Sequence, residues 1–204
     1  MDQLYLFQDY INNFEPIKIQ NGEYIYVTNF FKKEESDFYL KNLLNEINWK
    51  QESMNIYSKN VNFPRLTAWY GDDDKPYTFS GLTLKPEKWT KPLLDIKQKV
   101  EDKAKTGFNS VLLNLYRNGN DSISWHTDAE KELGRNPVIA SVNFGATRKF
   151  QLRHNETKVR IDLLLTHGSL LIMQGELQHF WQHQVPKTKQ TVDKRINLTF
   201  RLIK

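Results

Sequence analysis

Arg195-Ile196-Asn197-Leu198-Thr199-Phe200-Arg201-Leu202 alternates without a break. Residues two apart in a strand share a face, so Ile196, Leu198, Phe200 and Leu202 form one side. Arg195, Asn197, Thr199 and Arg201 form the other. Two guanidinium groups at the ends of one face, with an amide and a hydroxyl between them, suit a small dicarboxylate held at both ends. Guanidinium pairs with carboxylate through two parallel hydrogen bonds. The same face also reads as the wet side of an edge strand.

Upstream, the same grammar runs back to Phe108. Short apolar or alternating runs occupy Val111–Tyr116, Val138–Phe144, Lys149–Arg153, Val159–Leu165, Ser169–Met173 and Phe180–Gln184. Turn residues separate them, among them Asn118-Gly119-Asn120, Gly134, Gly145, His154-Asn155 and Gly168. Many short strands at this spacing predict a sandwich or barrel. Before Phe108 the pattern is helical. Tyr39, Leu40, Leu43, Leu44 and Ile47 recur at helical spacing within Lys33–Asn48. A second helix starts near Thr90, which can cap it, with Pro92 in its first turn and Gly107 as its C-terminal glycine. The first 20 residues read as an extended arm, and Gly71–Asp74 as a turn. The whole is a helical layer on an all-β core.

Composition bounds the function. The chain has 204 residues and a net charge of +5, with 39% hydrophobic and 13% aromatic residues, enough for one packed domain. It has no cysteine, which excludes disulfide scaffolds, thiolate metal sites and cysteine nucleophiles. No apolar run approaches the roughly 20 residues that span a bilayer. The opening Met1–Tyr10 carries acids and no basic region before an apolar stretch, so no secretory leader is expected and the expected location is cytoplasmic. The basic excess is compatible with a polyanionic partner.

His126-Thr127-Asp128 introduces a second chemistry. In a strand, His126 and Asp128 would face one point. A second imidazole would complete two histidines and one carboxylate, which cap one face of an octahedral ion and leave positions open, as in non-haem Fe(II) oxygenases. The remaining histidines are His154, His167, His179 and His183. His154 sits in a polar turn and is expected to be solvated; His167 precedes Gly168 in another turn. His179 and His183, four apart, would share a strand face, and spacing does not choose between them. Asn114 and Tyr116 repeat the polar-face device one hairpin before His126, although Tyr116 also reads as an ordinary core residue.

In this order the motifs resemble the AlkB family of 2-oxoglutarate- and Fe(II)-dependent dioxygenases. The likeness runs through Pro64–Asp72, Tyr77–Leu84, Phe108–Arg117, Trp125–Asp128, Asn136–Ala146, His167–Leu171 and Arg195–Arg201. It implies an α+β chain of one domain with a double-stranded β-helix (jelly-roll) core over 109–204. Residues 1–108 would supply an N-terminal extension, helices and a substrate-binding lid. By the resemblance the Fe(II) ligands are His126, Asp128 and His183, with His179 in a supporting role. Arg195 and Arg201 would neutralise the carboxylates of 2-oxoglutarate, and Asn114, Tyr116, Asn197 and Thr199 would hydrogen-bond it. Iron, 2-oxoglutarate and O2 would oxidise an alkyl carbon on a base nitrogen, releasing CO2 and succinate. Collapse of the hemiaminal then gives formaldehyde and the repaired base.

The implied substrate is alkylated DNA, single- or double-stranded, carrying N1-methyladenine or N3-methylcytosine, with RNA as an extension and a monomer as the acting unit. A hydroxylase of protein side chains or small molecules on the same iron core is the alternative. A base inside a duplex must be flipped out to reach a buried metal. Phe79 is the candidate to stack on it, opposite His126, with Tyr77 and Ser80 beside it; the bland alternative is a hairpin with its aromatics in the core. Tyr57 falls where relatives that repair duplexes insert a hydrophobic finger, although Ser58 stands where glycine is expected. Arg65 is a candidate phosphate or base contact. Relatives carry two acids after the metal aspartate; here Ala129 replaces the first and Glu130 alone remains, which bears on base preference rather than on oxidation. Lys187, Lys189 and Lys194 are left for phosphates.

Overall fold

The computed structural model describes residues 14–56, 59–72, 77–79, 82–84 and 86–204. Two antiparallel sheets face each other. The larger is built from β1 (Ile17–Ile19), β2 (Gly22–Val27), β13 (Ser169–Gln174), β10 (Ile139–Gly145), β15 (Arg195–Arg201), β8 (Ser110–Tyr116) and β5 (Leu66–Gly71), side by side in that order. The smaller runs β12 (Arg160–Leu165), β11 (Arg148–His154), β14 (Trp181–Val185) and β9 (Ile123–His126). This is the jelly-roll arrangement, two sheets with crossing connections. Two separate hairpins, β3 (Ser53–Ile56) with β4 (Lys59–Asn62) and β6 (Tyr77–Phe79) with β7 (Leu82–Leu84), stand outside the sheets.

The alternation in Arg195–Arg201 is explained by two covers rather than by one wet side. β15 lies between β10 and β8, and all of its residues are buried. Ile196, Leu198 and Phe200 join Val111, Leu113, Ala140, Val142, Leu170 and Ile172 in an apolar layer on one face of the large sheet. Helices α1 (Lys33–Glu46) and α2 (Lys91–Ala104) cover that layer with Tyr39, Leu43, Leu93, Ile96 and Val100. The other face looks into the space between the sheets. There Phe150, Leu152, Trp181 and Val185 of the small sheet meet Ile139, Leu171 and Met173 of the large one.

Some local expectations change. Thr90 precedes α2 as expected, with Pro92 in the first turn, but its side chain makes no capping hydrogen bond. The left-handed residue that ends α2 is Lys105 (φ 53°), not Gly107. The Glu101 carboxylate accepts from the Phe108 N–H at 2.6 Å and ties the chain down just past that turn. The strand expected to begin at Phe180 begins at Trp181, after the short helix α3 (Leu177–Phe180). Gly71 is the last residue of β5. Of the arm expected over the first 20 residues, Ile17–Ile19 form β1 against β2, while residues 1–13, like the turn residues Asp73 and Asp74, lie outside the described residues. Among the described residues no helix is long and apolar enough to cross a membrane.

Candidate active site

β14 and β9 pair with His183 directly opposite His126. That register brings two imidazoles together, their ring centroids 4.2 Å apart. The chain leaves the strand after His126, so Asp128 reaches the site from the following loop and not from the same strand face. Its backbone N–H donates to the Gln178 side-chain oxygen at 2.9 Å, and Gln178 is buried on α3. One ligand atom each from His126, Asp128 and His183 lies within 4.8 Å of the others. The His126 Nδ1–H donates to the Ser124 carbonyl at 2.8 Å, which leaves the Nε2 lone pair free for a cation.

The electrostatics suit a cation. Burial alone would raise the Asp128 pKa, but Arg201, His183 and His126 outweigh it and hold the carboxyl at about 2. Arg201 Nη2 donates to Asp128 Oδ2 at 2.9 Å, while Oδ1 is buried with no hydrogen-bond partner. Burial, and then the neighbouring His126, push His183 down to about 3, so it is neutral at physiological pH, the form that ligates metals. Burial also lowers His126. Phe150 stacks on His183 with ring centroids 5.3 Å apart and limits its rotation.

A polar floor adjoins this cluster. Asn114, Tyr116, Ser141, Arg195, Asn197, Thr199 and Arg201 line one cavity with His126, Asp128 and His183, closed by Leu112, Ile123, Phe150, Met173 and Val185. Thr199 donates to Asn197 Oδ1 at 3.0 Å, and Asn197 Nδ2 donates to Ser141 Oγ at 2.8 Å. Arg195 Nη2 donates to Asn143 Oδ1 at 2.5 Å, and its guanidinium lies 4.9 Å from the centre of the Tyr116 ring. Arg195 is buried, its Nε and Nη1 find no acceptor of good geometry, and no carboxylate pairs with it among the described residues. A buried guanidinium with no carboxylate beside it is costly unless an anion comes to it.

The other histidines are placed by their partners. His154 is fully buried, not solvated: Nδ1 accepts from the Glu156 and Thr157 N–H groups, and Nε2 faces Asn21 Oδ1 at 3.3 Å. His167 accepts from the Gly145 N–H at 2.8 Å and faces Asp37. His179 lies on α3 and faces Asn136 Oδ1 at 2.9 Å, so it does not share a strand face with His183. Arg65, expected at a phosphate or base, is buried beneath the site. Glu130 follows Asp128 at the start of a 3-10 turn, Lys131–Leu133, and is not among the residues lining the cavity. Tyr57 and Ser80 lie outside the described residues, while Tyr77 and Phe79 bound β6.

Asn143, Ser141, Gln178 and Arg148 were not singled out from sequence. Ser141 and Asn143 could have been, because Ala140-Ser141-Val142-Asn143-Phe144 repeats the polar alternation of Asn114–Tyr116 and Asn197–Thr199.

The sequence pattern of the 2OG-Fe(II) oxygenase superfamily matches residues 23–201. The chain is 43% identical over 184 residues to the Alpha-ketoglutarate-dependent dioxygenase alkB homolog 3 of Homo sapiens, with 85% of this chain and 64% of that one covered. It is 37% identical over 187 residues to the DNA oxidative demethylase ALKBH2 of Mus musculus, with 86% and 78% covered. It therefore spans somewhat less than two thirds of the first relative's length. The solved structure of OsALKBH1 superposes with a TM-score of 0.65 at 17% identity, over 91% of this chain and all of that one. A prolyl hydroxylase from Trichoplax adhaerens gives 0.61 at 16%, over 89% and 84%. At such identities the two structures speak for the fold alone. With the superfamily pattern running from β2 to β15 and relatives of this similarity covering most of its length, the chain belongs to the AlkB family of 2-oxoglutarate- and Fe(II)-dependent dioxygenases.

Proposed function

We propose that this chain demethylates alkylated nucleobases oxidatively, acting on N1-methyladenine and N3-methylcytosine in DNA and, as a further substrate, RNA. The observation that carries the reading is Arg195, buried without a carboxylate partner in the cavity that also holds His126, Asp128 and His183. A divalent cation fits the three ligands: one carboxylate oxygen is unsatisfied and the imidazoles are held neutral. A dicarboxylate fits the polar floor beside them. Fe(II) with 2-oxoglutarate supplies dioxygen activation and oxidation of an unactivated C–H bond.

The chain's own residues do the rest. His126, Asp128 and His183 hold the iron, and Arg201 keeps Asp128 ionised and aimed. Arg195 takes the cosubstrate's distal carboxylate, with Asn114 and Tyr116 beside it. Asn197 and Thr199, bonded to each other and to Ser141, shape the pocket wall. The apolar closure by Leu112, Ile123, Phe150, Met173 and Val185 limits water. The β3–β4 and β6–β7 hairpins form a lid over the base, with Tyr57 filling the duplex gap, Phe79 stacking on the flipped base, Tyr77 and Ser80 contacting it, and Glu130 reading its exocyclic amine. Lys187, Lys189 and Lys194 are all exposed and carry phosphates. The similarity to ALKBH2, a DNA oxidative demethylase, supports the nucleobase assignment.

The test is a panel of methylated single- and double-stranded DNA and RNA oligonucleotides incubated with Fe(II), 2-oxoglutarate and O2. Formaldehyde should appear in step with methyl loss by mass spectrometry, and Asp128→Ala should abolish both. Phe79→Ala should slow oligonucleotide turnover while leaving Fe(II) uptake unchanged. Consumption of 2-oxoglutarate with no methyl loss from any oligonucleotide would refute the substrate.

A further inference from the structure

We propose that Arg65 is a positioning residue for the cosubstrate rather than a contact for nucleic acid; the proposal rests on the cosubstrate assignment above and deepens it. Arg65 lies just ahead of β5, the edge strand beside β8, and is 4% exposed. Its Nε donates to Asn114 Oδ1 at 2.7 Å and its Nη1 to the Ser122 carbonyl at 3.4 Å. The guanidinium also sits 4.9 Å from the centre of the Phe63 ring. The Pro64 carbonyl accepts from the Ser122 N–H at 2.9 Å, so backbone and side chain lock the same two segments together.

The consequence concerns the Asn114 amide. An arginine offers only donors, so the amide atom facing Nε must be the oxygen. The orientation of Asn114, ambiguous by shape alone, is thereby fixed by chemistry. With Oδ1 turned to Arg65, Nδ2 is the atom left for the cavity that Asn114 lines. Asn114 therefore presents donors to the cavity, where an anionic cosubstrate needs them and an amide oxygen would repel it. Arg65 reaches the cosubstrate only through this amide. Its burial and its two partners also account for an arginine in a place where no phosphate can approach.

The experiment is anaerobic titration of Fe(II)-loaded protein with 2-oxoglutarate, read by the visible absorbance of the complex, for wild type, Arg65→Met, Arg65→Lys, Asn114→Ala and the Arg65→Met/Asn114→Ala double variant. Arg65→Met should weaken 2-oxoglutarate binding about tenfold. Fe(II) uptake should stay within about twofold of wild type, because no metal ligand is touched. Arg65→Lys, which keeps a buried charge and a donor and so protects folding, should recover part of the loss. In the Asn114→Ala background, Arg65→Met should cost little more, since neighbours acting through one contact are non-additive. The proposal is overturned if Arg65→Met or Arg65→Lys binds 2-oxoglutarate like wild type but loses oligonucleotide affinity, or if the two substitutions add fully. Wild-type protein that takes up Fe(II) but no 2-oxoglutarate would remove the cosubstrate assignment, and this proposal with it.

Discussion

Asp128, His126 and His183 are costly residues to bury, and the cost has a pH signature. Burial holds both imidazoles below their ordinary pKa, His183 at about 3, while Arg201 and the imidazoles hold Asp128 at about 2. For each group the unfolded chain takes a proton before the folded chain does. Stability of the metal-free protein therefore rises with pH wherever the unfolded state binds more protons. For the histidines that window opens near their unfolded pKa of about 6.5 and runs down to the folded value. For Asp128 it lies between about 4 and the folded value. Acidifying metal-free protein from pH 7 to pH 4 should lower the unfolding free energy by on the order of 3 kcal/mol through His183 alone. Urea midpoints at the two pH values, compared with those of His183→Gln, check it; equal pH dependence in the two proteins would show that His183 is not held neutral by the fold.

At the scale of elements, the turn after β8 and the segment between β14 and β15 act as one piece. Arg148 on β11 donates to the carbonyls of Asn118, Asp121 and Pro186 at 3.1, 2.9 and 2.7 Å. The Thr188 N–H donates to the Gly119 carbonyl at 2.9 Å. A Cβ on Gly119 would come within 2.5 Å of the Thr188 carbonyl oxygen, so the two backbones touch only because residue 119 has no side chain. Gly119→Ala should push the segment bearing Lys187 and Lys189 off its seat. Oligonucleotide affinity should fall about tenfold whatever the sequence, with 2-oxoglutarate binding unchanged; unaltered oligonucleotide affinity would separate this segment from substrate binding. The strands themselves were readable from sequence because period-two alternation survives in Arg195–Arg201 and Ser110–Tyr116, each covered on both faces by different partners. What was not readable depended on partners far along the chain. The segment assumed to be one strand is helix at His179 and strand at His183, His154 is buried against Asn21, and the backbone of Asp128 is held by Gln178. Local spacing carries none of these pairings. The floor of the site, Asn114, Tyr116, Arg195, Asn197 and Arg201, was legible as alternating polar faces of apolar strands, although alternation alone left a wet edge and, for Tyr116, an ordinary core position as open readings.

For the molecule as a whole, charge would separate the binding of the cosubstrate from that of the proposed nucleic acid. The net charge of +5 includes Arg65, Arg148, Arg195 and Arg201, which are buried and occupied with Asn114, backbone carbonyls, Asn143 and Asp128. Buried charges are weakly screened, whereas exposed ones lose most of their reach beyond the Debye length, about 8 Å at physiological salt. Binding of 2-oxoglutarate should therefore respond little to salt. On the proposed function, nucleic acid would be held by exposed cations such as Lys187, Lys189 and Lys194, and each phosphate neutralised would release a counterion. The logarithm of oligonucleotide affinity should then fall linearly with the logarithm of salt concentration, by about 0.7 per phosphate for single strands and about 0.9 for duplex. Three such contacts give slopes near −2 for single strands and near −3 for duplex, roughly. Replacing Lys187 and Lys189 together by Gln should flatten the slope by about 1.4 for single strands and about 1.8 for duplex, with little change in sequence preference. Fluorescence anisotropy of a labelled methylated oligonucleotide from 50 to 300 mM salt, roughly the range in which this dependence is resolved, measures both quantities. A slope near zero in wild type would mean that no phosphates are held and that the substrate is not a nucleic acid. A steep slope that the double substitution leaves unchanged would keep the nucleic acid but move its backbone to another face of the protein.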